Sequence, residues 1–217
     1  MKYNDQEIKE ILYAPVILDI LDELGYMNQG MNYAIRPISV KTKKIIGRAF
    51  TILACEVYEA PEFPYQLEFE SIDKMKENDI MVATTQGSMV AAFFGELLAT
   101  RCTYKKVIGA IVDGATRDVR LIDKMNFPLY CRGISPYDSK GRIDVIRYAV
   151  PIKCGGVLVN HGDLIFADQE GIAVIPAGIE DKVFELALEK IKKEKIVREC
   201  LKTGTSAVDV YEKYGVL

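Results

Sequence analysis

Two short segments carry residue types from which a catalytic site can be built. The first is Val112-Asp113-Gly114-Ala115-Thr116-Arg117-Asp118, where the apolar run VIGAIVDG meets a flexible Asp-Gly pair and then presents a guanidinium beside a carboxylate. Ligand sites in α/β folds lie beyond the carboxyl ends of strands, so this pair stands where such sites form. An adjacent arginine and aspartate equally suit an exposed ion pair or a helix cap, and exposed pairs are common and weak. The second segment is Gly95-Glu96-Leu97-Leu98, a glycine and an acid that open or interrupt an apolar helix. With Gly95 in the first turn, the amides of Gly95 to Leu98 are donors at the positive end of the helix dipole, suited to a carboxylate or an enolate oxygen. The alternative is an ordinary amphipathic helix with Glu96 facing water.

The elements that must position these residues follow from hydrophobic periodicity. Residues 4–25 read as helix, with Ile8, Ile11, Leu12 and Val16 at helical spacing, a break at Pro15 and a stop at Gly25. Residues 46–57 read as a strand rich in β-branched and aromatic residues, and EAPEFPYQ, with its two prolines, as a loop. A helix near 66–76, a turn at Glu77-Asn78-Asp79 and the strand IMVATT come next. The block 91–104 reads as one helix, VIGAIVDG as a buried strand, and 119–125 as helix. Short strands are expected at 128–132, 144–152, 155–160, 163–167 and 171–175. A long helix over 178–203 closes the pattern, with Val183, Leu186, Ala187, Ile191, Ile196 and Val197 on its inner side. This order gives an α/β or α+β fold, two β layers covered by helices, in one domain over 1–217.

Composition narrows the function. Among 217 residues, 28 basic against 31 acidic side chains leave a net charge of −3, with no basic excess for a nucleic-acid backbone. Apolar stretches such as 88–94 and 107–112 are too short for a membrane span, and the charged start MKYNDQEIKE lacks a signal core, so a cytoplasmic protein is expected. The five cysteines (Cys55, Cys102, Cys131, Cys154, Cys200) form no CxxC pair and read as small core residues in a reducing compartment. The single histidine, His161, reads as a turn residue within Asn160-His161-Gly162-Asp163, and Asp163 and Asp168 as residues that shape turns between strands.

Twenty residues separate Glu96 from Arg117-Asp118, an acidic residue–X20–Arg–Asp pattern, and other segments accompany it in order along nearly the whole chain. These are LDILDELG near the start, GRAFT (47–51), GELLAT (95–100), GAIVDGATRD (109–118), FPLYCRGISPYDSKGR (127–142), GGVLVNHGDLIFADQEGIAVIP (155–176) and YGVL at the end. With them the chain resembles the RraA-like family, which includes the class II 4-hydroxy-4-methyl-2-oxoglutarate (4-carboxy-4-hydroxy-2-oxoadipate) aldolases.

The resemblance implies a swivelling β/β/α-type core, layered sheets flanked by helices, in a homotrimer or a hexamer with sites between subunits. It also implies Mg²⁺ or Mn²⁺ as cofactor. By position, Asp118 would be the direct protein ligand, with substrate oxygens and waters completing the octahedral, all-oxygen shell that Mg²⁺ prefers. Arg117 would hold the oxo acid and stabilise the enolate formed on carbon–carbon cleavage. Glu96 would hydrogen-bond water on the ion and help move protons. A further acid would come from a neighbouring subunit. Asp22 is the best match, although the family aldolases carry glutamate there, and Glu194 is a weaker one. Glu96 replaces an aspartate and so adds one methylene, and His161 stands where proline is common.

The reaction so implied is cleavage of a 4-hydroxy-2-oxo acid to pyruvate and a second oxo acid, with oxaloacetate decarboxylation through the same enolate. No lysine lies in either motif to form a Schiff base, and no glycine-rich loop follows a first strand to hold a methyl-donor cofactor. A reading from another class is a non-catalytic regulator that binds a ribonuclease, as the family's namesake does. That regulator lacks the aspartate of the Arg-Asp pair, whereas Asp118 is present here.

Overall fold

The structure, a computed structural model, describes residues 3–216, so the final residue of the YGVL segment lies outside the described residues. The first helical stretch divides as expected into α1 (Asp5–Ile11) and α2 (Ala14–Glu23). Pro15 occupies the first turn of α2, where its missing N–H leaves no hydrogen bond unmade. The chain continues through β1 (Arg36–Pro37), β2 (Ile45–Glu56), α3 (Gln66–Lys74), β3 (Asp79–Thr84), β4 (Ala92–Phe94), α4 (Glu96–Tyr104), β5 (Gly109–Thr116), α5 (Val119–Lys124) and β6 (Leu129–Ile134). Next come β7 (Ile143–Tyr148), β8 (Ile152–Cys154), β9 (Val157–Val159), β10 (Leu164–Ala167), β11 (Ile172–Ile175), α6 (Glu180–Lys202) and α7 (Ala207–Tyr214).

The main sheet has the order β1-β6-β5-β3-β2-β10-β11, with β4 added to β5 and β7 added to β2. Strands β2, β3, β5 and β6 run parallel, while β10, β11 and β7 are antiparallel to their neighbours. All eight residues of β5 are buried, as a mostly apolar strand covered on both faces should be, with Asp113 the one charged side chain among them. The period of two divides the strands cleanly. Met81, Ala83, Ala110 and Val112 face Ile72 of α3, Ala99 and Cys102 of α4, and Ile122 of α5. Ile80, Val82 and Ile111 face the opposite way, onto Ile152, Val157 and Val159 of the β8–β9 hairpin. A third cluster packs α1, α2 and α6 against Ile46, Leu164, Phe166, Ala173 and Ile175. The result is a mixed α/β architecture in which β layers are covered by helices, as expected.

Several boundaries differ from expectation for identifiable reasons. The block 91–104 is not one helix: Ala92–Phe94 leaves as β4 because its buried aromatic residues pair in parallel with the end of β5, and helix begins only at Glu96. The expected strand 144–152 breaks at Ala149, whose φ of 54° turns the chain. The expected strand 155–160 starts on the turn itself, since Gly155 (φ 56°) and Gly156 (φ 87°) form the β8–β9 reversal. On α6, Phe184 joins the core and Ile196 is half exposed, so the inner stripe lies nearer the N-terminal half than its spacing suggested. Both β1 and α7 were absent from the periodicity, being a two-residue pairing and a short C-terminal helix.

His161 lies in an exposed turn, its ring edge-on to Phe50 at 5.1 Å. Asp163 accepts the Asn160 and Ala177 amides, and Asp168 accepts those of Ala14, Glu170 and Gly171, so both shape turns as expected. Cys102, Cys131 and Cys154 are buried, and all five cysteines are free thiols. No helix among the described residues is long and apolar enough to cross a membrane.

Candidate active site

The two chemistry-bearing segments are two strand-to-helix corners lying side by side. Strand β4 runs into α4 through Gly95, and β5 runs into α5 through Arg117 and Asp118. Because Ala92 pairs with Ala115 and Phe94 with Thr116, both corners turn at the same level of the sheet. The Arg117 amide donates to the Phe94 carbonyl at 2.9 Å, and the Glu96 amide donates to Asp118 Oδ2 at 3.2 Å. Sheet pairing thus brings together Glu96 and Asp118, 22 positions apart. Gly95 leaves room for this contact: a Cβ there would stand 2.8 Å from Asp118 Oδ2 and 3.3 Å from Arg117 Nε, so the carboxylate would have to shift. Asp118 holds φ at 56°, a left-handed conformation that aspartate tolerates better than most side chains.

A third segment completes the site. The loop between β6 and β7 places Asp138 beside Arg117, with Nη2 to Oδ1 at 3.1 Å, while Arg117 Nε lies 3.6 Å from Asp118 Oδ2. The Tyr65 hydroxyl, at the start of α3, donates to Asp138 Oδ2, and the Lys140 amide donates to the same oxygen at 3.2 Å. Burial opposes ionisation of Asp138, but the Tyr65 and Lys140 hydrogen bonds and the Arg117 charge outweigh it and hold its carboxyl below the ordinary value. Tyr65 is pushed up to about 12, first by burial and then by its bond to the Asp138 carboxylate. Asp138 and Asp118 thus both face the Nε–Nη2 edge of Arg117, and Asp138, the nearer of the two, holds the guanidinium in place.

These groups line a pocket of about 260 Å³ that also takes in Glu68, Phe69, Phe93 and Ser139. Of the residues singled out from sequence, Gly95, Glu96, Leu97, Leu98, Arg117 and Asp118 all line it. The Glu96 side chain folds back along α4, accepting the Thr100 hydroxyl at 2.7 Å. Its amide is engaged by Asp118, so the first-turn amides of Leu97 and Leu98 are the donors without an intrahelical acceptor. Asp113 turns away from the pocket: it is buried, ion-paired with Arg132, and accepts the Gly155 amide at 2.7 Å. Asp22 is exposed near the end of α2 and Glu194 accepts the Tyr13 hydroxyl on α6; neither lines the pocket of its own chain. Sequence reasoning gave no role to Tyr65, Glu68 or Asp138. Asp138 sits inside the quoted FPLYCRGISPYDSKGR segment, whereas Tyr65 and Glu68 carry no local signal.

The donor set suits a hard cation that keeps most of its shell as substrate and water oxygens. No group of three His, Cys, Asp or Glu among the described residues converges as an all-protein cage. What the site offers is the Asp118 carboxylate, held in place by the Glu96 amide, with Glu96 as a second acid in the same pocket. One or two carboxylates are the usual protein share for Mg²⁺.

Known proteins resemble this chain over most of its length. The family model described as RraA-like, Aldolase/RraA, matches residues 14–174. Protein DlpA of Legionella pneumophila is 30% identical over 198 residues, covering 91% of this chain but 32% of DlpA, so the chain spans about a third of that relative. A protein of Halalkalibacterium halodurans, provisionally named a 4-hydroxy-4-methyl-2-oxoglutarate aldolase, is 33% identical over 133 residues, 61% of this chain and 63% of that protein. Among solved structures, Streptomyces coelicolor RraAS2, an unusual member of the RNase ES inhibitor RraA protein family, shares the fold with a TM-score of 0.78. It is 23% identical, covering 91% of this chain and 98% of that one. With its matched span running from α2 to β11 and enclosing both corners of the pocket, the chain belongs to the RraA-like family.

Proposed function

We propose that this chain is a divalent-cation-dependent carbon–carbon lyase acting on a small 2-oxo acid through a pyruvate enolate. The reading is of the 4-hydroxy-4-methyl-2-oxoglutarate aldolase kind, with oxaloacetate decarboxylation as a second activity of the same site. The observation that carries it is the meeting of the Gly95-Glu96 and Arg117-Asp118 corners, tied by the Glu96 amide on Asp118. The name of the Halalkalibacterium halodurans relative supports it.

In this reading Asp118 holds Mg²⁺ or Mn²⁺, whose contribution is Lewis acidity toward the 2-oxo oxygen. Arg117, fixed by Asp138, binds the oxo acid and meets the negative charge that develops as the bond between C3 and C4 breaks. The amides of Leu97 and Leu98 face the substrate carboxylate from the positive end of α4. Glu96 takes the proton of the C4 hydroxyl. Asp22 of a neighbouring copy completes the site in a homotrimer or hexamer; its exposure on α2, outside its own chain's pocket, is what such a role requires.

The test is a pyruvate-release assay over a panel of 4-hydroxy-2-oxo acids and oxaloacetate, with and without Mg²⁺ or Mn²⁺. Cation-dependent release from at least one of them is expected. No release from any of them, together with inhibition of a ribonuclease, would replace this reading with the regulator.

A further inference from the structure

Glu68 is the one carboxyl of the pocket that the protein leaves without a hydrogen bond. It stands in the first turn of α3, only 6% exposed, and lines the same pocket as Arg117 and Asp118. The neighbouring polar groups satisfy one another: Tyr65 donates to Asp138, and Asp138 also receives the Lys140 amide and the Arg117 guanidinium. The carboxyl of Glu96 receives Thr100. No hydrogen bond among the described residues reaches the carboxyl oxygens of Glu68. Among the described residues Gln29 Oε1 is the one sealed side-chain oxygen without a partner, so the unpaired Glu68 carboxyl is open to what enters the pocket it lines.

We propose that Glu68 is a further catalytic residue of this pocket, the acid that delivers a proton to the enolate carbon to make pyruvate. The proposal rests on the lyase reading above. When the bond between C3 and C4 breaks, the C4 hydroxyl gives its proton to Glu96 and the bonding electron pair passes to C3 and the 2-oxo oxygen. Glu68, a neutral acid, then gives its proton to C3; its O–H bond breaks as the C3–H bond forms from the enolate electrons. The carboxylate left on Glu68 recovers a proton from water, and Glu96 returns the proton it took to water. One proton leaves the C4 oxygen and one reaches C3 in each turnover.

The surroundings suit that role. Burial, then the charges of Asp138 and Asp144, push the Glu68 carboxyl up to about 8 against the opposing pull of Arg117. Tyr65 faces it from the start of the same helix and Glu96 shares the pocket. An acid held near the working pH both keeps its proton and gives it up readily.

Glu68→Gln keeps the shape and removes the proton. In D₂O with Mg²⁺, proton NMR of pyruvate should show its methyl hydrogens exchanging in the wild type. The variant should exchange about 10²-fold more slowly or worse, within the range for loss of one general acid. Oxalate, an enolate mimic that needs no proton at carbon, should bind both proteins within about twofold. In the cation-free protein, carbon-13 NMR of labelled glutamate should show one carboxyl titrating near the expected value of about 8, absent from the variant. Wild-type exchange in Glu68→Gln would overturn the proposal, as would a parallel loss of oxalate binding, which marks a structural role. A wild type that binds no oxalate and exchanges no pyruvate hydrogen overturns the lyase reading itself.

Discussion

Asp118 Oδ2 accepts the amide of Glu96 at 3.2 Å, so the turn that ends β5 is locked to the N-terminus of α4. The lock depends on Gly95, where a Cβ would come within 2.8 Å of that same oxygen. Gly95→Ala should displace the carboxylate, at a cost of about 1–3 kcal/mol for overpacking. Isothermal titration with Mn²⁺ should show affinity falling about tenfold or more, alongside a drop in melting temperature of a few degrees. An alanine variant with wild-type Mn²⁺ affinity would show that the close approach is incidental.

Asp118→Asn separates charge from conformation. Asparagine tolerates the left-handed backbone at least as well as aspartate, so the fold and melting temperature should hold. Mn²⁺ binding should be severely weakened. Asp118→Glu should also fail, because a longer carboxylate misplaces a cation that demands near-ideal octahedral geometry. Retained affinity in Asp118→Asn would reject the ligand role.

Arg117 should act on the transition state more than on the ground state. Loss of one such donor typically costs on the order of 10²–10³ in rate. Arg117→Ala should therefore lower kcat, and Arg117→Lys should recover only part of it because the planar fork is gone. Should Arg117→Ala raise KM and leave kcat untouched, the arginine gathers substrate and the enolate charge falls to the cation and the α4 amides.

Stability should depend on pH in opposite senses at the two acids beside Arg117. Glu68 is raised to about 8 in the folded chain, so it binds a proton there that the unfolded chain gives up above about pH 4.3. Its contribution is whole below that value and is lost as pH rises through about 8. Asp138 is depressed, so its contribution is present above the ordinary aspartate value and is lost as pH falls through the lower folded one. Thermal melts should show Glu68→Gln gaining on the wild type between about pH 4.3 and pH 8, and Asp138→Asn closing its deficit only under acid conditions. A Glu68→Gln melting difference that is flat with pH would contradict the buried, proton-holding state.

Much of this site was legible because its two corners are sequential strand-to-helix turns with distinctive residues. Arg117-Asp118 follows a mostly apolar strand, and Gly95-Glu96 marks a helix start. Why they meet was not legible: β4 was hidden in what read as a single helix, and only its pairing with β5 sets Phe94 beside Thr116. Tyr65 ends a proline-containing loop and Glu68 opens the helix after it, neither with a neighbour in sequence to mark a site, and Asp138 reaches Arg117 through a bridge between Ala92 and Asp138 far apart in the chain. Such long-range neighbours leave no local pattern. The layered α/β architecture, by contrast, was plain from alternating helices and β-branched strands and from the long helix read over 178–203, which forms as Glu180–Lys202.

The most direct measurement is the anomalous difference density of a crystal of this chain grown with Mn²⁺ and oxalate. The expected result is one Mn²⁺ peak per chain on the Asp118 carboxylate, with oxalate bridging it to Arg117 inside the pocket lined by Gly95 to Leu98. A Mn²⁺ peak elsewhere, or oxalate bound away from Arg117, would contradict the site.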